Sequence, residues 1–535
     1  MAKRLFLSSV VLLLLLIGLL PLLSMFIGSL QSDGHFTLEA YEGLLRSPHQ
    51  WELMQHSMIL SSAVTLATTL FGVPLGLLFG KTDLPFRRFF ALLFTLPLLI
   101  PPYIMAVSWS DLLGRDGLLK PLLGPSAIET IGSLLSGLSG SVFVLSSIFL
   151  PIPILFTLLF LKTIDPHLEE AGRVVSGWHG VLKGITIPLI LPGIVLSALL
   201  VFLLSFGEFS VPAFLRFDVF PLESFTQFSA FYHFKAATAA AIPMALVALL
   251  LLLMESRFLR AHTYQLRPSL QTDTLPPIPL GKYRPWLLSA VAILVLILVL
   301  VPMVALLIQA GDPEIYHVAL NRTGESLLRS LVYAVIGASL LTIFGFFTGY
   351  LIQTKSLPIW RSVDTLTLFL FALPGTVIGI GLIHLWNTPW TNIVYGTPMI
   401  IILGYLTKYT VLTSRITVRQ LAQIPSSMEE AAQVAGAGWF RRMIYIVIPM
   451  AKCGLIGAWL VGYIFTMRDT GVTMLVYPAG EETLPVRIYT LMANGTPELI
   501  AALCIIMITT TLLPVAIVWT LSRQIRIYKK DQEGN

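Results

Sequence analysis

An all-α polytopic membrane protein is what this sequence predicts. Three observations carry the prediction: too few charges to wet a soluble surface, a dozen long apolar segments, and matched residues that make the second half resemble the first. Charged residues are 12% of the 535-residue chain and hydrophobic ones 56%, with a mean hydropathy of +0.84. A soluble domain carries about 25% charged residues, so lipid is the natural solvent for most of this chain. The net charge of +6 does not point to nucleic acid, because the basic residues are distributed as membrane proteins distribute them. Cys453 and Cys504 both sit in apolar stretches, which argues against a disulfide framework.

A bilayer core takes roughly 20 apolar residues per helix. Twelve segments meet or approach that length, centred near Leu14, Leu70, Phe94, Leu150, Ala198, Val247, Ile297, Leu340, Leu370, Ile402, Leu460 and Ile508. The first, Leu5 to Ile27, outlasts a signal-peptide core and is followed by no small-x-small cleavage site, so an uncleaved helix is expected. Lys and Arg favour the cytoplasmic side. With Lys3 and Arg4 inside and the spans alternating, inner segments collect most of the 34 basic residues, among them Lys81, Arg87, Arg88, Arg257, Arg267, Arg441 and Arg442. The outer loops collect the larger share of the 28 acidic ones. Twelve spans with both termini cytoplasmic is the consistent expectation.

Internal repeats decide the architecture. Ser57, Gly72, Gly76, Pro85 and Arg88 are matched by Ser330, Gly345, Gly349, Pro358 and Arg361, all 273 residues later. Pro97 and Trp109 are paired with Pro374 and Trp386 at a spacing of 277, and further on the spacing is 261. A polar, proline-bearing stretch, SLQTDTLPPIPLGKYRP, separates the copies. The expected units are a six-helix half over 1–256, a cytoplasmic linker over 257–284 and a second six-helix half over 285–535. An even number of spans per half makes the repeats parallel, with a path between them.

Each half has its longest cytoplasmic excursion between its fourth and fifth helices. The second reads MEEAAQVAGAGWFRRMIYIVIP and the first LEEAGRVVSGWHGVLKGITIP. Both resemble the EAA loop of bacterial ABC importer permeases, where Glu-Ala-Ala is followed by a Gly and later by an Ile-x-Leu-Pro-like ending. Glu430, Ala431, Ala432, Gly436, Ile446 and Pro449 fall at the family spacing. In the first copy Glu169, Ala171, Ile185 and Pro188 do so, while Glu170 and Val175 stand where the family has Ala and Gly. The stretches 466–492 and 205–232 resemble fused permeases of the iron(III) type, a group similar to thiamine, phosphonate and polyamine permeases.

The resemblance implies two type I ABC importer permease repeats in one chain, in a bacterial plasma membrane. It implies two copies of an ABC ATPase and an extracytoplasmic solute-binding protein as partners. The residues it assigns to ATPase coupling are Glu169, Glu170, Ala171, Gly177, Glu430, Ala431, Ala432 and Gly436. ATP and Mg are expected on the ATPase, with no cofactor, metal or nucleic acid bound by this chain. GLLFGKT at Gly76–Thr82 ends like a phosphate-binding loop, but three residues rather than four separate its first Gly from the Gly-Lys pair, too few for backbone amides to wrap a phosphate. No histidine stands at metal-ligand spacing with Cys, Asp or Glu. Tyr232, His233, Tyr316 and His317 read as interfacial aromatics of outer loops.

Two features remain open at the level of sequence. Glu208 and Asp469 end equivalent helices in the two halves. They are either pathway or gate residues, costly enough near membrane depth to face a cavity or partner, or plain starts of outer loops, with Arg468 neutralising Asp469. Pro97, Pro101, Pro374 and Gly375 either line the path, where irregular backbone is tolerated, or kink packed helices. The rival to an importer permease is an ion-coupled secondary transporter with duplicated six-helix halves. It would hold its ion at ionisable residues near mid-membrane, and the helix interiors read as nearly free of charge.

Overall fold

The computed structural model describes residues 2–32, 35–114, 117–229, 231, 233–262 and 277–533. Tyr232, Arg267 and residues 269–276 of the proline-bearing linker lie outside the described residues. Among those described, nine helices are long and apolar enough to cross a membrane, and up to eleven spans result if each of two sharply bent pairs is one span.

The first half contributes α1 (Ala2–Ser29), α2 (Pro48–Lys81), the bent pair α3 (Arg87–Leu99) and α4 (Pro102–Leu113), and α5 (Gly137–Leu161). The loop helix α6 (Pro166–Val181), α7 (Ile187–Phe206) and α8 (Phe234–His262) complete it. The second half repeats the plan: α9 (Gly281–Ala310), α10 (Pro313–Thr354), the bent pair α11 (Trp360–Ala372) and α12 (Gly375–Trp386), and α13 (Met399–Leu421). Then come the loop helix α14 (Ser426–Val434), α15 (Ile448–Met467) and α16 (Pro497–Glu533). The helix α13 is not among the nine, and it carries Lys408, Arg415 and Arg419.

Prolines set the shape of these helices, because proline lacks an N–H and crowds the carbonyl four residues back. Single π turns at Leu15–Leu19, Leu182–Thr186, Leu296–Leu300 and Met443–Val447 each end two residues before a proline: Pro21, Pro188, Pro302 and Pro449. The widened turn makes room for the ring. All four sit at matching places in the two halves. Sharper breaks, of 100° and 107°, separate α3 from α4 and α11 from α12. Pro101 (φ −57°, ψ 137°) caps α4 and Pro374 (φ −53°, ψ 143°) caps α12. The structural counterpart of Pro374 is therefore Pro101, at the same spacing of 273 as the preceding helices; the pairing of Pro97 with Pro374 and of Trp109 with Trp386 is out of register. Pro97 instead opens a tight last turn of α3, Leu96–Leu99.

The paired glycines are close-approach faces, as small residues are wherever membrane helices pack. A Cβ on Gly72 or Gly76 of α2 would run into Pro153 or Thr157 of α5, and one on Gly349 of α10 would lie 2.7 Å from the Ser414 carbonyl of α13. The matched serines tie down the loops that follow α7 and α15: Ser57 accepts from the Phe220 N–H at 2.8 Å, and Ser330 from that of Leu484 at 2.6 Å.

Chain-order halves are not packing halves. The first helix of each reaches the other: α1 packs chiefly on α12 and also on α13, and α9 packs on α4 as well as on α16 of its own half. Pro21 removes the donor that Ile17 O would take within α1, and Thr407 of α13 donates to that carbonyl at 2.8 Å. On the other side Ser108 of α4 donates to Pro302 O.

Filling the α10–α13 contact tests this packing. Gly349→Leu meets backbone that cannot yield, and overpacking costs about 1–3 kcal/mol; a clear drop in melting temperature in detergent is expected. Gly457→Ala, where a Cβ meets nothing within 4 Å, should show none. An unshifted melt for Gly349→Leu would count against the close approach.

Candidate transport path and coupling loops

The two loops are built alike, in a register one residue away from the sequence reading. Both helices follow a cap, Asp165 or Pro425, and the fourth residue is Glu169 in α6 and Glu429 in α14. Glu169 is 1% exposed; it pairs with Lys81 at the end of α2 and accepts from Thr186 at 2.8 Å. Glu429 accepts from Tyr350 near the end of α10 at 2.9 Å and lies 3.8 Å from Arg442. These glutamates pin each loop to the second helix of its half. The counterpart of Glu430 is thus Glu170, and both are exposed. Glu170 does not stand in an alanine position, and Gly172 takes the place of Ala432.

Gly436 turns the second loop at φ 82°, and Gly177 turns the first at φ 63°. A turn glycine is therefore present in the first copy, two residues beyond Val175. Left-handed backbone is what glycine adopts at no steric cost. Ahead of these turns, Val174 and Val175 are 86% and 87% exposed and Val434 is 90% exposed. Three apolar side chains stand free at the two tips. Ala171 and Ala431 leave the helix faces between anchor and tip small.

The other candidate residues meet between the halves. A small cavity of about 90 Å³ is lined from the first half by Pro102, Phe149, Gly207 and Glu208, and from the second by Pro374, Gly375, Lys408, Tyr409, Arg468 and Asp469, among others. Pro97 and Pro101 shape the break behind Pro102. Gly375 must be small: a Cβ there would lie 2.6 Å from the backbone of Gly471.

Asp469 is not an exposed loop start. It is 3% exposed; one oxygen accepts from Tyr409 at 2.6 Å, the other from Thr473 N–H and hydroxyl at 2.9 and 2.8 Å and from Val472 N–H at 3.2 Å. Its nearest cation is Lys408, 3.9 Å away, rather than Arg468. Arg468 donates instead to Leu98 O of the first half. Both N–H groups that could have served that carbonyl, at positions 101 and 102, are missing because both residues are prolines. Glu208 is half-buried and accepts from Ser210 N–H at 2.8 Å and from its hydroxyl through the same oxygen. On the neighbouring outer helix burial pushes the Tyr489 hydroxyl up to about 12, and the Glu208 carboxylate adds to the shift. Lys408 was missed at the level of sequence. A lysine six residues from the centre of an apolar segment was the signal, and it corrects the reading of helix interiors as nearly free of charge.

Apolar helices in two interlocked halves, meeting at a polar break and each carrying a pinned loop, define a multi-pass membrane protein. No family model matches the chain. Two ferric transport system permeases are each 24% identical to it. One, from Haemophilus influenzae, aligns over 88% of this chain and 77% of its own length; the other, from Actinobacillus pleuropneumoniae, over 89% and 72%. A spermidine/putrescine permease of Haemophilus influenzae is 23% identical over 37% of this chain and 77% of its own. The chain fits the fused permease group of binding-protein-dependent ABC importers: a multi-pass inner-membrane permease whose ATP hydrolysis falls to a separate ATPase.

The two carboxylates should respond differently to amidation. Asp469→Asn turns an N–H group towards donors, and a buried polar group left unpaired costs about 1–3 kcal/mol. Its melting temperature should fall, while Glu208→Gln, with one oxygen engaged, should melt close to wild type. Equal melts for the two variants would contradict the hydrogen-bonding described.

Proposed function

We propose that the protein imports iron(III) or a related small solute, received from a binding protein, by alternating access driven by two ATPase copies. The chain would cross the membrane twelve times, each bent pair counting once and α13 being the twelfth span, with both termini in the cytoplasm. The carrying observation is the pair of loops, each pinned by a glutamate to the second helix of its half and together presenting three uncovered valines. Exposed apolar groups on a rimmed polar loop mark a protein contact, and the ATPases, holding ATP and Mg, are the partners an importer permease requires. The ferric relatives support the substrate. The cavity between the halves is then the closed path, with Gly207 against Pro374 and Arg468 against Leu98 as its seals. An ion-coupled secondary transporter leaves the pinned loops without a purpose.

Glu430→Lys and Gly436→Asp should uncouple ATP hydrolysis from uptake in the assembled transporter while the chain still inserts; both variants transporting normally would reject the coupling role. Closure can be trapped directly. A Cβ on Gly207 would lie 3.5 Å from that of Pro374, within disulfide range. Gly207→Cys with Pro374→Cys should cross-link on oxidation and block uptake, with recovery on reduction. A cross-linked transporter that still turns over would exclude this contact from the path. Reporter fusions after Asn535 and in the linker should both report cytoplasm, and a periplasmic signal from either would reject the twelve-span topology.

A further inference from the structure

The two halves differ most at the cavity. Helix packing sets the correspondence: Gly72 and Gly76 meet Pro153 and Thr157 of α5, and Gly345 and Gly349 meet Thr413 and Thr417 of α13. In that register Tyr409 answers to Phe149, and both line the cavity. Lys408 answers to Ile148, which is fully buried; at the spacing of 261 that pairs Pro188 with Pro449, Arg468 answers to Gly207. The second half thus adds two cations to the wall, where the first offers an isoleucine and a glycine.

The two carboxylates on the wall, Glu208 and Asp469, balance them in formal charge, but both are held by other donors. Asp469 is saturated by neutral donors from Tyr409, Thr473 and Val472. Among the described residues, the Lys408 ammonium makes no hydrogen bond; it lies 3.9 Å from Asp469 and 5.5 Å from the Tyr409 ring centre. Glu208 forms no ion pair within 4 Å among the described residues, being held by Ser210. The N-termini of the half-helices α4 and α12 also reach this wall at Pro102 and Pro374, and helix N-termini favour negative charge. In α12, the Thr376 hydroxyl is buried with no hydrogen-bond partner among the described residues.

We infer that Lys408 determines which solutes pass: it receives an oxyanion group, either a carboxylate, phosphate or phosphonate of the solute itself or the anionic oxygen ligands sheathing a metal, and a free polyamine cation is refused. This rests on reading the cavity as the path. The test needs no knowledge of the substrate. In protein with Cys453 and Cys504 replaced by serine, Leu204→Cys places one thiol on the cavity wall. Its rates of modification by an anionic sulfonatoethyl and a cationic trimethylammonioethyl thiosulfonate are compared during ATP turnover with the ATPase.

The anionic reagent should win with Lys408 present. Lys408→Met should lower the anion-to-cation ratio by about fivefold or more, and Lys408→Arg should keep it, as expected when a fixed charge focuses counter-ions in a low-dielectric cleft. If Lys408→Met folds poorly, Lys408→Gln, which removes the charge and keeps a polar donor beside Asp469, carries the same measurement. An unchanged ratio, or a thiol that neither reagent reaches, overturns the inference. Failure of the importer reading shows separately, as absence of binding-protein-stimulated ATP hydrolysis in the wild type.

Discussion

In hydrocarbon there is no water to satisfy a stray backbone carbonyl, and everything irregular in this protein is arranged around that constraint. Prolines within or between the apolar helices leave carbonyls without donors, and side chains from the opposite half supply two of them. Thr407 serves Ile17, left open by Pro21, and Arg468 serves Leu98, left open by Pro101 and Pro102. The breaks are also what hold the halves together. A residue such as Arg468 is thus fixed by backbone chemistry before any solute is considered.

Symmetry of plan and asymmetry of content divide the work. Proline-led π turns, bent pairs, close-packed glycines and pinned loops recur in both halves, so both can move in the same way. Polar side chains do not recur. Tyr405, Lys408, Tyr409 and Thr473 lie around Asp469, whereas Leu145, Ile148, Phe149 and Pro212 hold the matching places near Glu208. One half supplies most of the polar wall of the cavity and the other mostly apolar side chains.

Much of this was legible in the residues. Apolar length marked most of the helices, and the repeated serines and glycines marked the duplication and proved to be contacts. The loops were legible as loops, but their register slipped by one residue, since Glu-Glu-Ala offers two ways to align a glutamate and only burial distinguishes the anchor Glu169 from the exposed Glu170. Gly177 was named among the coupling residues, but it lies two residues beyond the place that spacing assigned to the turn glycine. Nothing local could reveal that Asp469 is buried under Tyr409, sixty residues away. Exchange of α1 and α9 was equally invisible, because an apolar helix carries no mark of which bundle it will join.

That exchange sets a timetable for synthesis. The carbonyl of Ile17 waits for a hydroxyl 390 residues further along the chain. At about 5–20 residues per second, the ribosome needs roughly 20–80 s to deliver it. Through that interval α1 sits in the bilayer beside a first half it does not chiefly pack on, its final neighbours α12 and α13 not yet made. The fused chain therefore cannot mature one half at a time, and a ribosome that stops after the linker leaves a bundle whose leading helix has only α8 among its main final neighbours.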